Sequence, residues 1–267
     1  MNNSKRQHNG FTLIELSIVI VIIGFLVAGI AVGTNMIKQA QLRSVITDLQ
    51  QYQTAYNNFV GRYSQVPGDM STASSFWPAT SGNASCAATA VNCNGNGDGL
   101  INWSSAAVGN GTGDEQLKAW KHLSLAGMIS AGIRQIPTGY SGVVTIGDKA
   151  PLSKINGAGY VMGGNTIGNA MTSPWNNGIT NAVFIGKPAA SNSLMNGALT
   201  AEEAFNIDQK IDDGIVSSGV FMGAATGNIR VKNSADAPAS PNGCLNASGN
   251  YNVSIVGTYC LLGAALN

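Results

Sequence analysis

One carboxylate, Glu15, stands at the mouth of an apolar run that reaches about Thr34 and holds no other charge. A charge inside a membrane-spanning helix costs roughly 2.5 to 3.5 kcal/mol at the bilayer centre and less near an interface, so Glu15 needs a partner or a function. Lys5 and Arg6 precede the run in a short polar leader. Positive residues stay on the cytoplasmic side, which directs everything after Thr34 across the membrane. Oxygen-bearing side chains supply a second chemistry farther on. Asn94, Asn96 and Asp98 alternate along Asn94-Gly95-Asn96-Gly97-Asp98-Gly99-Leu100-Ile101-Asn102, which places hard oxygen donors at every second position.

Gly10-Phe11-Thr12-Leu13-Ile14-Glu15, behind a basic leader and ahead of a long apolar helix, strongly resembles the N-terminus of type IV prepilins and type II secretion pseudopilins. The resemblance implies cleavage after Gly10 by a prepilin peptidase on the cytoplasmic face, methylation of the new Phe11 amine, and transfer of the apolar helix from the bilayer into a helical fibre. It also implies that Glu15 faces the Phe11 ammonium of a neighbouring subunit. Such a pair would neutralise two charges that are costly in apolar surroundings, and a subunit docked out of register would leave both unpaired. The layout differs from an ordinary secretory signal, since no A-x-A-like site closes the apolar run. The run is about long enough to span a bilayer. A simple signal anchor would account for leader and run, but not for the six-residue motif.

The 267 residues suit one head behind one membrane helix, and the head is large enough to bury a sizeable core. Net charge is +1; losing Lys5 and Arg6 leaves 12 basic residues against 13 acidic ones, or −1. Nothing there attracts nucleic acid, and the scattered Lys and Arg of the head form no stripe for DNA capture. Glycine reaches 34 residues, about 13% where ~7% is usual, so the head is loop-rich. Cys86, Cys93, Cys244 and Cys260 fall into two close pairs, which an oxidising compartment favours as the disulfides Cys86–Cys93 and Cys244–Cys260. Three connectivities are formally open, and zinc is the rival, although C-x-x-C is missing and the histidines are only His8 and His122. The second bridge is similar to the disulfide-closed C-terminal loop of many type IV pilins.

Beyond the membrane run, Leu42, Val45, Leu49, Tyr52, Tyr56 and Phe59 recur at intervals of three and four. One helix from about Thr12 to Val60, roughly 70 Å long, is predicted, apolar all round in its first half and amphipathic in its second. The divisions are a leader 1–10, a membrane or fibre-core helix 11–34, its amphipathic continuation 35–60 and a head 61–267. Pro67-Gly68 marks the approach to the head. Residues 72–113 show little periodicity. Further helices are predicted over Asp114–Ala131, with Leu117, Trp120, Leu123 and Met128 as its apolar side, and over Ala201–Asp212, opened by the Thr200/Glu203 capping box and closed by Gly214. Short strands are predicted at Gly142–Ile146, Gly159–Met162, Ala182–Ile185, Gly219–Met222 and Asn228–Val231. The fold class is α+β, with an antiparallel sheet packed on the amphipathic half of the first helix. Trp77, Trp103, Trp120 and Trp175 read as core or loop anchors, Trp175 also as a contact residue.

The Asn94 loop resembles the first half of an EF-hand or dockerin calcium loop. It departs from that pattern in having Asn at the first and third positions and Ser105 where a bidentate Glu belongs. Asn94, Asn96 and Asp98, the Leu100 carbonyl, and Asp114 or Glu115 form the expected shell; Asn-Gly and Asp-Gly turn chemistry is the competing reading. Pseudopilins often carry calcium in a head loop. Asp208, Asp212 and Asp213 cluster at the end of a predicted helix, where acids oppose the macrodipole. No hydrolase, metalloprotease or phosphate-loop motif is present, and His122 reads as a core-edge or capping residue, so catalysis is not expected.

Two functional classes stay open. One is a structural subunit of a type II secretion pseudopilus or type IV pilus, with a prepilin peptidase, fellow pilin subunits, an inner-membrane assembly platform and the lipid bilayer as partners. The N-terminus would lie in the cytoplasm of a bacterium and the head in the periplasm or on a fibre. The other is an adhesin or ligand-binding tip subunit; the uncharged, Gly-rich head favours a minor or specialised role.

Overall fold

The computed structural model describes residues 11–78, 93–102, 115–130, 145–164, 181–189, 193–211, 214, 232–233, 244, 246, 248, 250–258 and 260–266. The leader with Gly10, the residues Cys86, Trp103, Asp114, Trp175, Asp212 and Asp213, and the strands predicted at Gly219–Met222 and Asn228–Val231 lie outside them.

Helix α1 runs unbroken from Leu13 to Tyr63. Chain contacts divide the protein after Gln41 into an N-terminal unit and a larger one from Leu42 onward. In the first unit the apolar side chains from Leu13 to Ile37 are exposed, and the helix is long and apolar enough to cross a membrane. In the second unit α1 buries Leu42, Val45, Leu49, Tyr52, Ala55, Tyr56 and Phe59, the stripe that its spacing predicts. Ser64, at a left-handed φ of 53°, ends the helix.

After the single turn α2 (Ala73–Phe76), helix α3 runs from Glu115 to Leu125 and α4 from Ala201 to Ile211. Sequence periodicity carried α3 to Ala131. Gly127, at φ 69°, stops it earlier, with Met128 N–H returning to the Leu123 carbonyl at 2.9 Å and Gly127 N–H to Ser124 at 3.1 Å. That pair of bonds satisfies carbonyls that the helix would otherwise leave bare. At α4 the Thr200/Glu203 box forms in both directions, at 2.7 and 3.2 Å.

Strands β1 (Gly159–Gly164), β2 (Asn181–Ala189), β3 (Ser193–Asn196), β4 (Lys232–Asn233) and β5 (Cys260–Ala265) form an antiparallel sheet in the order β1-β2-β5-β4, with β3 also on β2. Register is set by pairs such as Tyr160↔Ile185, Phe184↔Gly263 and Ala182↔Ala265. The predictions at 159–162 and 182–185 locate β1 and β2. Of the strand predicted at 142–146 only its last two residues are described, and Ile146 makes an isolated bridge to Ala150. Strands β3, β4 and β5 carry no forecast.

The sheet packs on the buried stripe of α1. Tyr52 meets Trp120 of α3 and Tyr160 of β1 edge-on, with ring centroids 4.8 and 5.0 Å apart. Gln53 Nε2 donates to the Ala265 carbonyl at 2.7 Å, and Tyr160 donates its hydroxyl to Asp48 at 2.8 Å. Cys244 is bonded to Cys260, tying the segment before the C-terminal loop to the first residue of β5. Cys93 is disulfide-bonded too.

Candidate functional site

At the start of α1 the chain folds back on itself through Thr12. Its backbone N–H and its hydroxyl both donate to Oε2 of Glu15 at 2.8 Å, and Glu15 N–H returns a bond to the Thr12 hydroxyl at 3.3 Å. This reciprocal capping box uses the donors that a helix N-terminus leaves open, and it holds the carboxylate beside the Phe11 peptide. Among the described residues, Oε1 of Glu15 makes no hydrogen bond. Phe11 is exposed. The spacing Thr12-x-x-Glu15 is the same sequence signature that marks Thr200/Glu203.

The Gly-rich head loop is organised around two acids. Asp69, just after Pro67-Gly68, accepts N–H groups from Gly97 at 2.6 Å, Asp98 at 3.3 Å and Gly99 at 2.7 Å. Glu115, the first residue of α3, accepts Asn96 N–H at 3.1 Å and Asn102 N–H at 2.7 Å. Burial raises the pKa of both acids, most strongly for Glu115, which is pushed up to about 8. Asp98 adds to the rise at Asp69, and Asp69 adds to it at Glu115, while the N–H bonds oppose it. Nothing in a lone Pro67-Gly68-Asp69 shows that the Asp69 carboxylate folds over a loop about thirty residues later.

Asn181 fastens this loop to the core. Its Oδ1 accepts Ile101 N–H at 2.7 Å, and its Nδ2 donates to the Gly99 carbonyl and to the Tyr56 hydroxyl. His122 does the same from α3: Gly68 N–H donates to Nδ1 at 2.9 Å, and Nε2 lies 3.0 Å from the Cys93 carbonyl. A backbone N–H only donates and a carbonyl only accepts, so the proton sits on Nε2. The core-edge reading of His122 needs correcting: the ring is fully buried.

For the expected calcium shell, the structure brings Asn94, Asn96, Asp98, Leu100 and Glu115 to this region. The donor chemistry fits a hard cation, and positive charge would relieve the repulsion among Asp69, Asp98 and Glu115. The shell is not closed as it stands. Asn94 Oδ1 accepts Ser74 N–H, Asn96 Oδ1 accepts Asp98 N–H, and Asp98 accepts Leu100 N–H and the side-chain amides of Asn96 and Asn102. Glu115 directs both oxygens at backbone N–H groups. Among the described residues no group of three or more His, Cys, Asp or Glu side chains is arranged to hold a metal. Asp208, expected in a helix-end acidic cluster, is buried and accepts the Tyr251 hydroxyl at 2.9 Å.

Residues 5–31 match the family described as the prokaryotic N-terminal methylation motif, the signature of type IV pilins and pseudopilins. The N-terminal segment is pilin-like. The match spans the leader, the capped Glu15 and the first half of the apolar helix, and it stops before the head begins. No curated protein and no solved structure matches the chain. The head is therefore read from its own geometry.

Proposed function

We propose that the protein is a structural subunit of a type II secretion pseudopilus or type IV pilus, held in the inner membrane until it is polymerised. The carrying observation is the capped, half-satisfied Glu15 at the mouth of a bare apolar helix within the methylation motif. The helix needs an apolar environment, and bilayer and fibre core both supply one. The unused oxygen of Glu15 suits the Phe11 ammonium of an adjacent subunit, which would compensate both charges where water is excluded. Prepilin peptidase, fellow subunits and the assembly platform are the partners in this reading. The apolar run governs membrane insertion and the charge pair governs registration. Glu15→Ala is therefore expected to leave insertion and leader cleavage intact while lowering the mutant's share of sheared fibres at least about tenfold, as for loss of one buried charge partner. Wild-type amounts in the fibres would overturn the assembly role of Glu15.

A tip subunit is the second reading. Its support is the segment closed by Cys244–Cys260, where Val253 and Val256 stand exposed beside a rigid anchor. Calcium at Asp98 is a separate proposal. It rests on the oxygen pattern and on Asp69, which repels both Asp98 and Glu115, and binding would require Asp98 to release the amides of Asn96 and Asn102.

A further inference from the structure

Asn-Gly pairs are chemically fragile, because glycine leaves the following nitrogen sterically open to attack the asparagine side chain. The reaction needs a free Asn amide and an unengaged Gly N–H. Four such pairs lie among the described residues, beginning at Asn94, Asn96, Asn156 and Asn196. Three are locked. Asn94 is held by Ser74 N–H, and Gly95 N–H donates to the Met70 carbonyl at 3.0 Å. Asn96 bonds Asp98 through both side-chain atoms, and Gly97 N–H is tied to Asp69. Asn196 Nδ2 donates to the Pro188 carbonyl at 2.8 Å, and Gly197 is buried.

Asn156-Gly157 differs in each respect. Both residues are exposed at the tip of a tight turn, with Ala158 N–H closing onto the Ile155 carbonyl at 3.0 Å and Gly157 at φ 72°. Among the described residues, neither the Asn156 side chain nor Gly157 N–H makes a hydrogen bond.

We propose that Asn156 is a spontaneous deamidation site, converting through a succinimide shared with Gly157 to aspartate and isoaspartate. Hydroxide removes the Gly157 amide proton, and the nitrogen attacks Cγ of Asn156. The bond from Cγ to the side-chain nitrogen breaks, and ammonia leaves with a proton from water. A second water opens the five-membered ring at either carbonyl. No oxidant or reductant takes part. The product carries a new negative charge two residues from Lys154. In its isoaspartyl form it also adds a methylene to the backbone of the turn that leads into β1. That turn holds Ser153 N–H on the Ala158 carbonyl at 2.9 Å and brings the Ser153 hydroxyl within 3.4 Å of Tyr160. The change therefore ages the head at its sheet edge.

The full chain in detergent, incubated in mildly alkaline, oxygen-labelled water and followed by peptide mass spectrometry, tests this. An isoaspartyl methyltransferase supplies an independent probe of the product. Asn156 is expected to take up label about tenfold faster or more than Asn94, Asn96 and Asn196, the factor for freeing one hydrogen-bonded N–H. Unfolding in urea is expected to bring the four rates together, and Asn156→Gln to remove the fast isoaspartyl signal. Equal rates at the four sites in the folded chain, or a slower rate at Asn156 than at any other, would overturn the proposal.

Discussion

His122 sits between two backbone groups that demand opposite things of its ring, and this makes its protonation a stability term. Burial holds its pKa down to about 4 against an ordinary 6.5. Lys118, one turn earlier on α3, pushes the same way, and the bond to the Cys93 carbonyl opposes both. A second ring proton would also face Gly68 N–H. In the unfolded chain the imidazole titrates near its ordinary value, so from about 6.5 down to 4 the unfolded state binds more protons than the native one. The stability that neutral His122 contributes is complete above 6.5 and is lost as pH falls toward 4. Glu115, with its pKa raised, runs the other way, losing its contribution as pH rises from 4.5 toward 8. Urea unfolding of wild type and His122→Gln across this range separates them: the variant is expected to be less stable at neutral pH and to lose less stability on acidification. Parallel curves would show that His122 titrates alike in the folded and unfolded chain, so that its burial does not hold the ring neutral.

Asp98 offers the residue-scale test of calcium. Ligand bound only by the folded head stabilises it by about 2.7 kcal/mol when free calcium is a hundredfold above Kd. The oxidised full chain in detergent is expected to melt higher with calcium than with chelator, and Asp98→Ala to remove the difference. An unchanged melting temperature in the wild type would leave the loop as turn chemistry around Asp69 and Glu115.

At the scale of elements, the parts most legible in the sequence were those whose own period decides them. The stripe from Leu42 to Phe59 and the capping box at Thr200 needed no distant partner to be recognised, and each appears in the structure. Strand β5 is the opposite case. Cys260-Leu261-Leu262-Gly263-Ala264-Ala265 has no alternation, because the middle of a sheet covered on both faces removes the polar side that would produce it. Gly263 looks like a loop residue in the sequence. Its place is set instead by β2, since a Cβ there would lie 2.5 Å from the Phe184 ring. Gly263→Ala must therefore displace an aromatic ring in the core. It is expected to destabilise the head by about 1–3 kcal/mol, as overpacking does, measured by urea unfolding. A neutral result would mean that Phe184 has room to turn away. The loop at Asn94–Asn102 was legible in its turn residues and not in its partners, since Asp69, Glu115 and Asn181 reach it from separate parts of the chain.

For the whole molecule, the two units pose opposite physical problems. From Leu42 onward the chain buries a core of its own and ties its head loop to that core through Asn181, His122, Asp69 and Glu115. Before Gln41 it exposes nearly every large side chain, including Phe25 at 76% and Ile30 at 66%, over a length that no water-soluble helix tolerates alone. An apolar surrounding would complete that unit, and residues 5–31 match the prokaryotic N-terminal methylation motif; in the proposed function that motif supplies a cut, a methylated Phe11 amine and a carboxylate one turn away. The most direct measurement is intact-terminus mass spectrometry of the protein taken from membranes of cells with an active prepilin peptidase. A mature chain beginning at Phe11 with a methylated amine is the expected result, and a chain still beginning at Met1 would contradict the account.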